Sequence, residues 1–141
     1  MGLDVHVFLN KQHLPFDADE LGAEFDQETG EYFFYDIELD RKYSLEARMA
    51  CHKRIGNIAA VAELRDEAGR VLDEASVVVS KVLYSGTHSG DCLKSEVFAD
   101  LEQELALLRS ASHVSESMQE FVRDMEELMS AAKAEGNPIV F

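Results

Sequence analysis

Ser85-Gly86-Thr87-His88-Ser89-Gly90-Asp91-Cys92 packs two glycines, three hydroxyls, an imidazole, a carboxylate and a thiol into eight consecutive positions. Glycines let a backbone approach a ligand closely, and successive amides in a tight turn can bind an anion. His88 is the group here whose ordinary titration range lies near neutral pH. Thr87, His88, Ser89 and Asp91 are therefore candidate binding residues, with His88 and Asp91 as candidate ligand or proton-transfer groups. The same residues also describe a structural turn, in which Gly86 and Gly90 supply dihedrals, Ser89 or Asp91 caps amides, and His88 braces the loop. Composition does not separate the two readings.

A second collection is Cys51-His52-Lys53-Arg54 with Asn57. Arg54 and Asn57 are three apart and would share a helical face, with His52 nearby if the helix starts early. With Asp4 and His6, these groups would converge on the His88 turn, where His52, Arg54 and Asn57 would orient an anionic substrate. Two histidines and an aspartate would suit zinc, but ligands drawn from three separate segments make no recognisable metal motif, and no metal site or cofactor is assigned. Cys51 reads as a small core residue. Cys92 has the better claim to reactivity if it lies at a helix N-terminus, where a thiol is acidified. The nucleophile-elbow, phosphate-loop, zinc-protease and dinucleotide signatures are all absent.

These residues need elements to position them. Leu3, Val5, Val7 and Leu9 alternate with polar neighbours, predicting a first strand over 1–10. Phe33, Tyr35, Ile37 and Leu39 alternate after Gly30, predicting a hairpin whose loop is 27–30. Ile55, Ile58, Ala59 and Ala62, with Val61 and Leu64, recur at helical spacing and predict a helix within 47–68, stopped by Gly69, its start uncertain around Gly56. The β-branched run Ser76–Tyr84 predicts a buried strand, with a short helix as the alternative. Val97, Phe98, Leu101, Leu105 and Leu108 predict a helix capped by Ser95. Val114, Met118, Phe121, Met125, Leu128 and Ala132 predict a longer one, with Ser117 and Glu120 at capping-box spacing and Gly136 as its stop; its methionines read as core. Ile139-Val140-Phe141 predicts a short edge strand or a packed aromatic tail. The sum is a single α+β domain over 1–141, a small, largely antiparallel sheet with an N-terminal strand and hairpin packed against about three helices.

The chain carries 28 acidic residues against 13 Lys and Arg, a formal charge of −15. Such a surface repels phosphate backbones and anionic membranes, which excludes generic nucleic-acid binding and membrane association. Nothing approaches the length of a bilayer span or the pattern of a signal peptide, so a cytoplasmic location is expected. Two cysteines 41 positions apart do not form a disulfide framework. The charge is unevenly distributed. Asp17–Asp40 holds ten acids and no Lys or Arg, whereas Arg41–Arg54 holds five basic residues against Glu46 alone.

The opening Met1-Gly2-Leu3-Asp4, the turn Gly86-Thr87-His88-Ser89-Gly90-Asp91 and the Leu-rich acidic helix after it resemble a group of small uncharacterised bacterial proteins. More distantly, the Met-Gly-Leu start with a late turn and helix looks like a family of bacterial immunity proteins, cytosolic partners that neutralise toxins. The first resemblance implies no activity; the second implies binding without catalysis. The expected function is thus a small acidic binding protein that engages a protein partner, with Glu28, Glu31, Asp36 and Glu38 or the His88 turn at the contact. The alternative is a metal-assisted or acid–base enzyme acting on a small anionic substrate at His88 and Asp91. Both leave a homodimer open.

Overall fold

A computed structural model describes residues 1–141, and its architecture is the expected α+β. Strand β1 (Gly2–Phe8) turns Leu3, Val5 and Val7 inward, all fully buried, as strict alternation requires. It pairs with β4 (Met49–Asn57) on one side and β6 (Ile139–Val140) on the other; β6 also pairs with β5 (Cys92–Leu93). Every pairing is antiparallel, in the order β4-β1-β6-β5. The last strand is therefore interior to the sheet, not at its edge, because β5 adds outside it.

Helices α2 (Ile58–Ala68) and α4 (Glu116–Glu135) pack on β1 and β4, and α3 (Phe98–Ser110) packs on α4. Their apolar stripes join the strands in one buried cluster that includes Val61, Leu64, Leu101, Leu105, Met118, Met125 and Met129. Each large side chain so buried contributes about 1.5–3 kcal/mol. The methionines are core, as their spacing predicted. No helix is long and apolar enough to cross a membrane.

Several elements differ from the sequence reading, each for a physical reason. The first half of the expected middle helix is β4: Cys51, Lys53 and Ile55 are half-buried while His52 and Arg54 are exposed, a period of two. The helix starts only at Ile58, where Asn57 accepts a hydrogen bond from the Ala60 amide. The valine-rich stretch is a π-helical turn (Val78–Val82), not a strand. Glu104 on α3 accepts from the amides of Val77 and Val78 at 3.0 and 2.8 Å, and buried Val78 and Val82 stand one turn apart. A tertiary carboxylate thus overrides the β preference of the residues. The cap of α4 is Ser115, not Ser117; its hydroxyl accepts from the Met118 amide, and Gly136 ends the helix in the left-handed region. Ser95 begins a short 3₁₀ turn ahead of α3 without capping it.

Between β1 and β4 the chain forms an arm. Its hairpin is a short ribbon, β2 (Glu24–Phe25) with β3 (Tyr32–Phe33), and alternation beyond it gives way to helix α1 (Ile37–Lys42), capped by Asp36 through the amides of Glu38 and Leu39. Gly30 closes the ribbon at φ +79, and its missing Cβ makes room for the Asn137 side chain, which donates to the Phe8 carbonyl at 2.8 Å. Phe16, Phe34 and Tyr43 form the arm's own aromatic cluster, with centroids 4.6 to 6.1 Å apart.

Candidate functional site

The turn after the π-helical segment brings His88 back against the sheet. Gly86 is needed for close approach and not for an unusual dihedral: a Cβ there would lie 2.8 Å from Ile58 Cα. His88 is only 6 % exposed at its side chain. Its ring is sandwiched between Tyr84 and Phe141, with centroids 4.4 and 4.7 Å away. Nε2 donates to the Val82 carbonyl and Nδ1 meets Asp91 Oδ2, each at 2.8 Å. Both neighbours are acceptors, so both bonds form together only when the ring carries two N–H groups.

Asp91 Oδ2 also accepts the Tyr84 hydroxyl. The bond from Tyr84, and after it the one from His88, holds the Asp91 carboxyl below its ordinary range. The same bond, with some burial, pushes the Tyr84 phenol up. Asp91 is thereby a weaker base and Tyr84 a phenol harder to ionise, the reverse of what activation requires. The backbone of the turn is engaged too: Phe141 N donates to Asp91 O at 2.9 Å, and Gly90 N to Phe141 O at 2.6 Å. A shallow recess of roughly 290 Å³ lies beside it, lined by Tyr84, Asp91 and Cys92 among others, but His88 does not reach it. Thr87 and Ser89 are exposed; the Thr87 amide donates to Ser85 Oγ at 3.3 Å, and the Ser89 side chain makes no hydrogen bond.

The second collection lies elsewhere. His52 and Arg54 are on an edge strand, not a helix, and both point to Asp4, at 3.4 and 2.8 Å. His52 stands opposite His6, whose pKa is lowered by burial and then by His52. Asn57 is occupied as a helix cap. β4 and β5 are opposite edges of the sheet, three strand spacings or about 14 Å apart. His88 stacks on the core side of the last strand through Phe141, while His52 and His6 share the other face with Val140. The two candidate clusters are not brought together, and no three His, Cys, Asp or Glu side chains are placed to hold a metal ion. Cys92 sits in a strand, and burial, followed by Glu28, raises its thiol pKa.

The acidic arm holds what the sequence reading overlooked. Arg48, with 5 % side-chain exposure, donates from Nη1 to Glu31 and the Tyr32 carbonyl, from Nη2 to Asp40, and from Nε to the Ser44 carbonyl. One guanidinium thus ties ribbon, α1 and the entry to β4 together. Burial raises the pKa of Glu31, with Arg48 opposing that shift. No local pattern marks it, because Arg48 is one of five Lys and Arg over 41–54.

The arm's cations divide into free and paired: Arg41 and Lys42, at the end of α1, are exposed and make no ion pair. Lys11 pairs with Asp19 at 2.6 Å and Lys94 with Glu28 at 3.4 Å. Asp17, Asp26 and Asp36 accept nearby amides. Glu20, Glu24 and Glu38 are exposed and have no cationic partner. Beside Glu38, Ile37 is 68 % exposed and Tyr35 is 81 % exposed. Phe33 meets the Tyr35 ring edge to face at 5.4 Å, and Glu24 lies directly across the ribbon from Phe33. The Phe33–Tyr35 pair, followed in the chain by exposed Ile37, makes an apolar ridge flanked by Glu24 across the ribbon and Glu38 next in sequence.

No protein-family model, curated protein or solved structure matches this chain.

Proposed function

We propose that this protein is a non-enzymatic binding protein that docks a basic protein partner through the ridge of its acidic arm. The observation carrying this reading is the exposure of Tyr35 and Ile37 within 17–40, a stretch that holds ten acids and no Lys or Arg. Exposed aromatics are the usual anchors of protein interfaces, where truncating one costs about 2 kcal/mol or more. Surrounding acids steer a cationic surface toward them and repel wrong partners. A second copy of the same face would meet like charge, so the ridge suits a different protein, and covering a cation-rich surface is how such a ridge would neutralise one. Of the four acids expected at the contact, Glu38 is free, Glu28 is shared with Lys94, Asp36 caps α1, and Glu31 belongs to Arg48. Acid–base or metal-assisted chemistry at His88 draws no support from a ring whose two nitrogens are both engaged.

The test is capture of partners on immobilised protein, comparing the wild type with Tyr35→Ala/Ile37→Ser and with Leu107→Ser, an exposed apolar residue on α3. A basic protein retained by wild type and Leu107→Ser but lost from the double variant supports the reading. Equal retention by all three contradicts it.

A further inference from the structure

We infer that His6 and His52 form a binding site for a borderline divalent transition-metal ion such as Zn²⁺ or Cu²⁺, with Asp4 orienting His52 and water completing the coordination. The site uses no residue of the ridge and stands or falls without it. The two histidines are direct partners across β1 and β4, which puts their side chains on one face of the sheet. Opposed residues of an antiparallel pair have Cβ atoms about 4.5–5.5 Å apart. Two nitrogens bound to one zinc ion at about 2.0–2.1 Å each lie roughly 3–3.5 Å from one another, a separation that opposed imidazoles reach by side-chain rotation alone.

The state of the ring nitrogens separates this pair from two ordinary strand histidines. His6 is half-buried between His52 and Val140 of β6, with the Phe8 ring edge-on at 4.9 Å. Val140 and Phe8 are buried and offer its ring only apolar surface. Neither ring nitrogen of His6 has a hydrogen-bond partner in the protein. A half-buried imidazole in that state lacks an interaction that a metal ion would supply. His52 is engaged at one nitrogen: Nε2 stands 3.4 Å from Asp4 Oδ1, and Nδ1 has no partner. A carboxylate on one nitrogen fixes the ring and makes the other a stronger donor to a metal. Arg54 occupies Asp4 Oδ2 at 2.8 Å, so that cation is already neutralised. No third acidic, cysteine or histidine side chain completes the set. Two imidazoles suit Zn²⁺ or Cu²⁺, which take nitrogen ligands, and not Mg²⁺ or Ca²⁺, which require oxygen.

The test is a Zn²⁺ titration of the isotope-labelled full chain at neutral pH, read by histidine-ring and amide NMR, with Mg²⁺ as the control ion. The inference predicts saturable shifts confined to His6, His52 and their neighbours on β1 and β4, and none with Mg²⁺. Binding should weaken about tenfold or more in each of His6→Gln and His52→Ala. A rise in melting temperature with Zn²⁺ that both variants lack is the second readout. His52 is exposed, and glutamine keeps the polarity and approximate size of His6, so both variants should fold. Shifts at His13 or His113 instead, or one affinity shared by wild type and both variants, would mean an adventitious ion only and overturn the inference. Dependence on His52 alone would overturn it too, since a single imidazole is not the site.

Discussion

The imidazole of His88 stacks on the ring of Phe141 at 4.7 Å while Asp91 holds its Nδ1, so the most reactive-looking turn of the chain works as a clasp on the last strand. Phe141→Ala should therefore cost about 3 kcal/mol of stability, the usual loss for a buried aromatic, and expose His88. Urea unfolding measures the first effect, and the rate of His88 modification by diethyl pyrocarbonate the second. A loss under about 1 kcal/mol would mean that the stack contributes little.

Arg48 holds the arm. Replacing it by methionine leaves the half-buried Glu31 carboxylate without its cation and should cost about 3 kcal/mol or more. Limited proteolysis should then cut between residues 17 and 40 well before the sheet and helices are attacked. Stability close to that of the wild type would show that the arm is held by its aromatic cluster instead.

The folded Asp91 carboxyl titrates below its unfolded value. An unfolded chain therefore binds the proton more readily, and the contribution of Asp91 is complete above the ordinary carboxylate range. It is lost as pH falls through the depressed folded value. Thermal melts of Asp91→Asn should lack this part of the acid limb, with the two proteins converging at the lowest pH. Parallel limbs would remove Asp91 from the account.

Much of this fold is legible in the residues, and the exceptions are instructive. Strand β1 and helix α4 are read from periodicity because one face of each is wholly buried. β4 is hidden because two of its half-buried positions are Cys51 and Lys53, so no apolar alternation appears, and Lys53 lies against Asp124 and Glu127 of α4. The Val77–Val82 turn depends on Glu104, distant in sequence, which local propensity does not see. For the site, the sequence supplies the groups of the His88 turn but not their direction. Whether an imidazole faces solvent or a carbonyl is decided by Val82 and Phe141, which only the folded chain brings to it. Arg48 is missed because counting charges does not reveal where a single guanidinium is buried.

Cys51 and Cys92 both have thiols raised first by burial. At neutral pH each should react with iodoacetamide more slowly than free cysteine, since the thiolate is the reacting form. Mass spectrometry of timed alkylation gives the rates. A rate faster than free cysteine at Cys92 would reopen it as a nucleophile.

Photo-crosslinking from position 35 in living cells addresses the ridge most directly, with the same crosslinking residue at Leu107 as the comparison. The account predicts one dominant product from position 35, joined to a basic protein, and little from Leu107. Equal products from both positions, or products confined to Leu107, would contradict it.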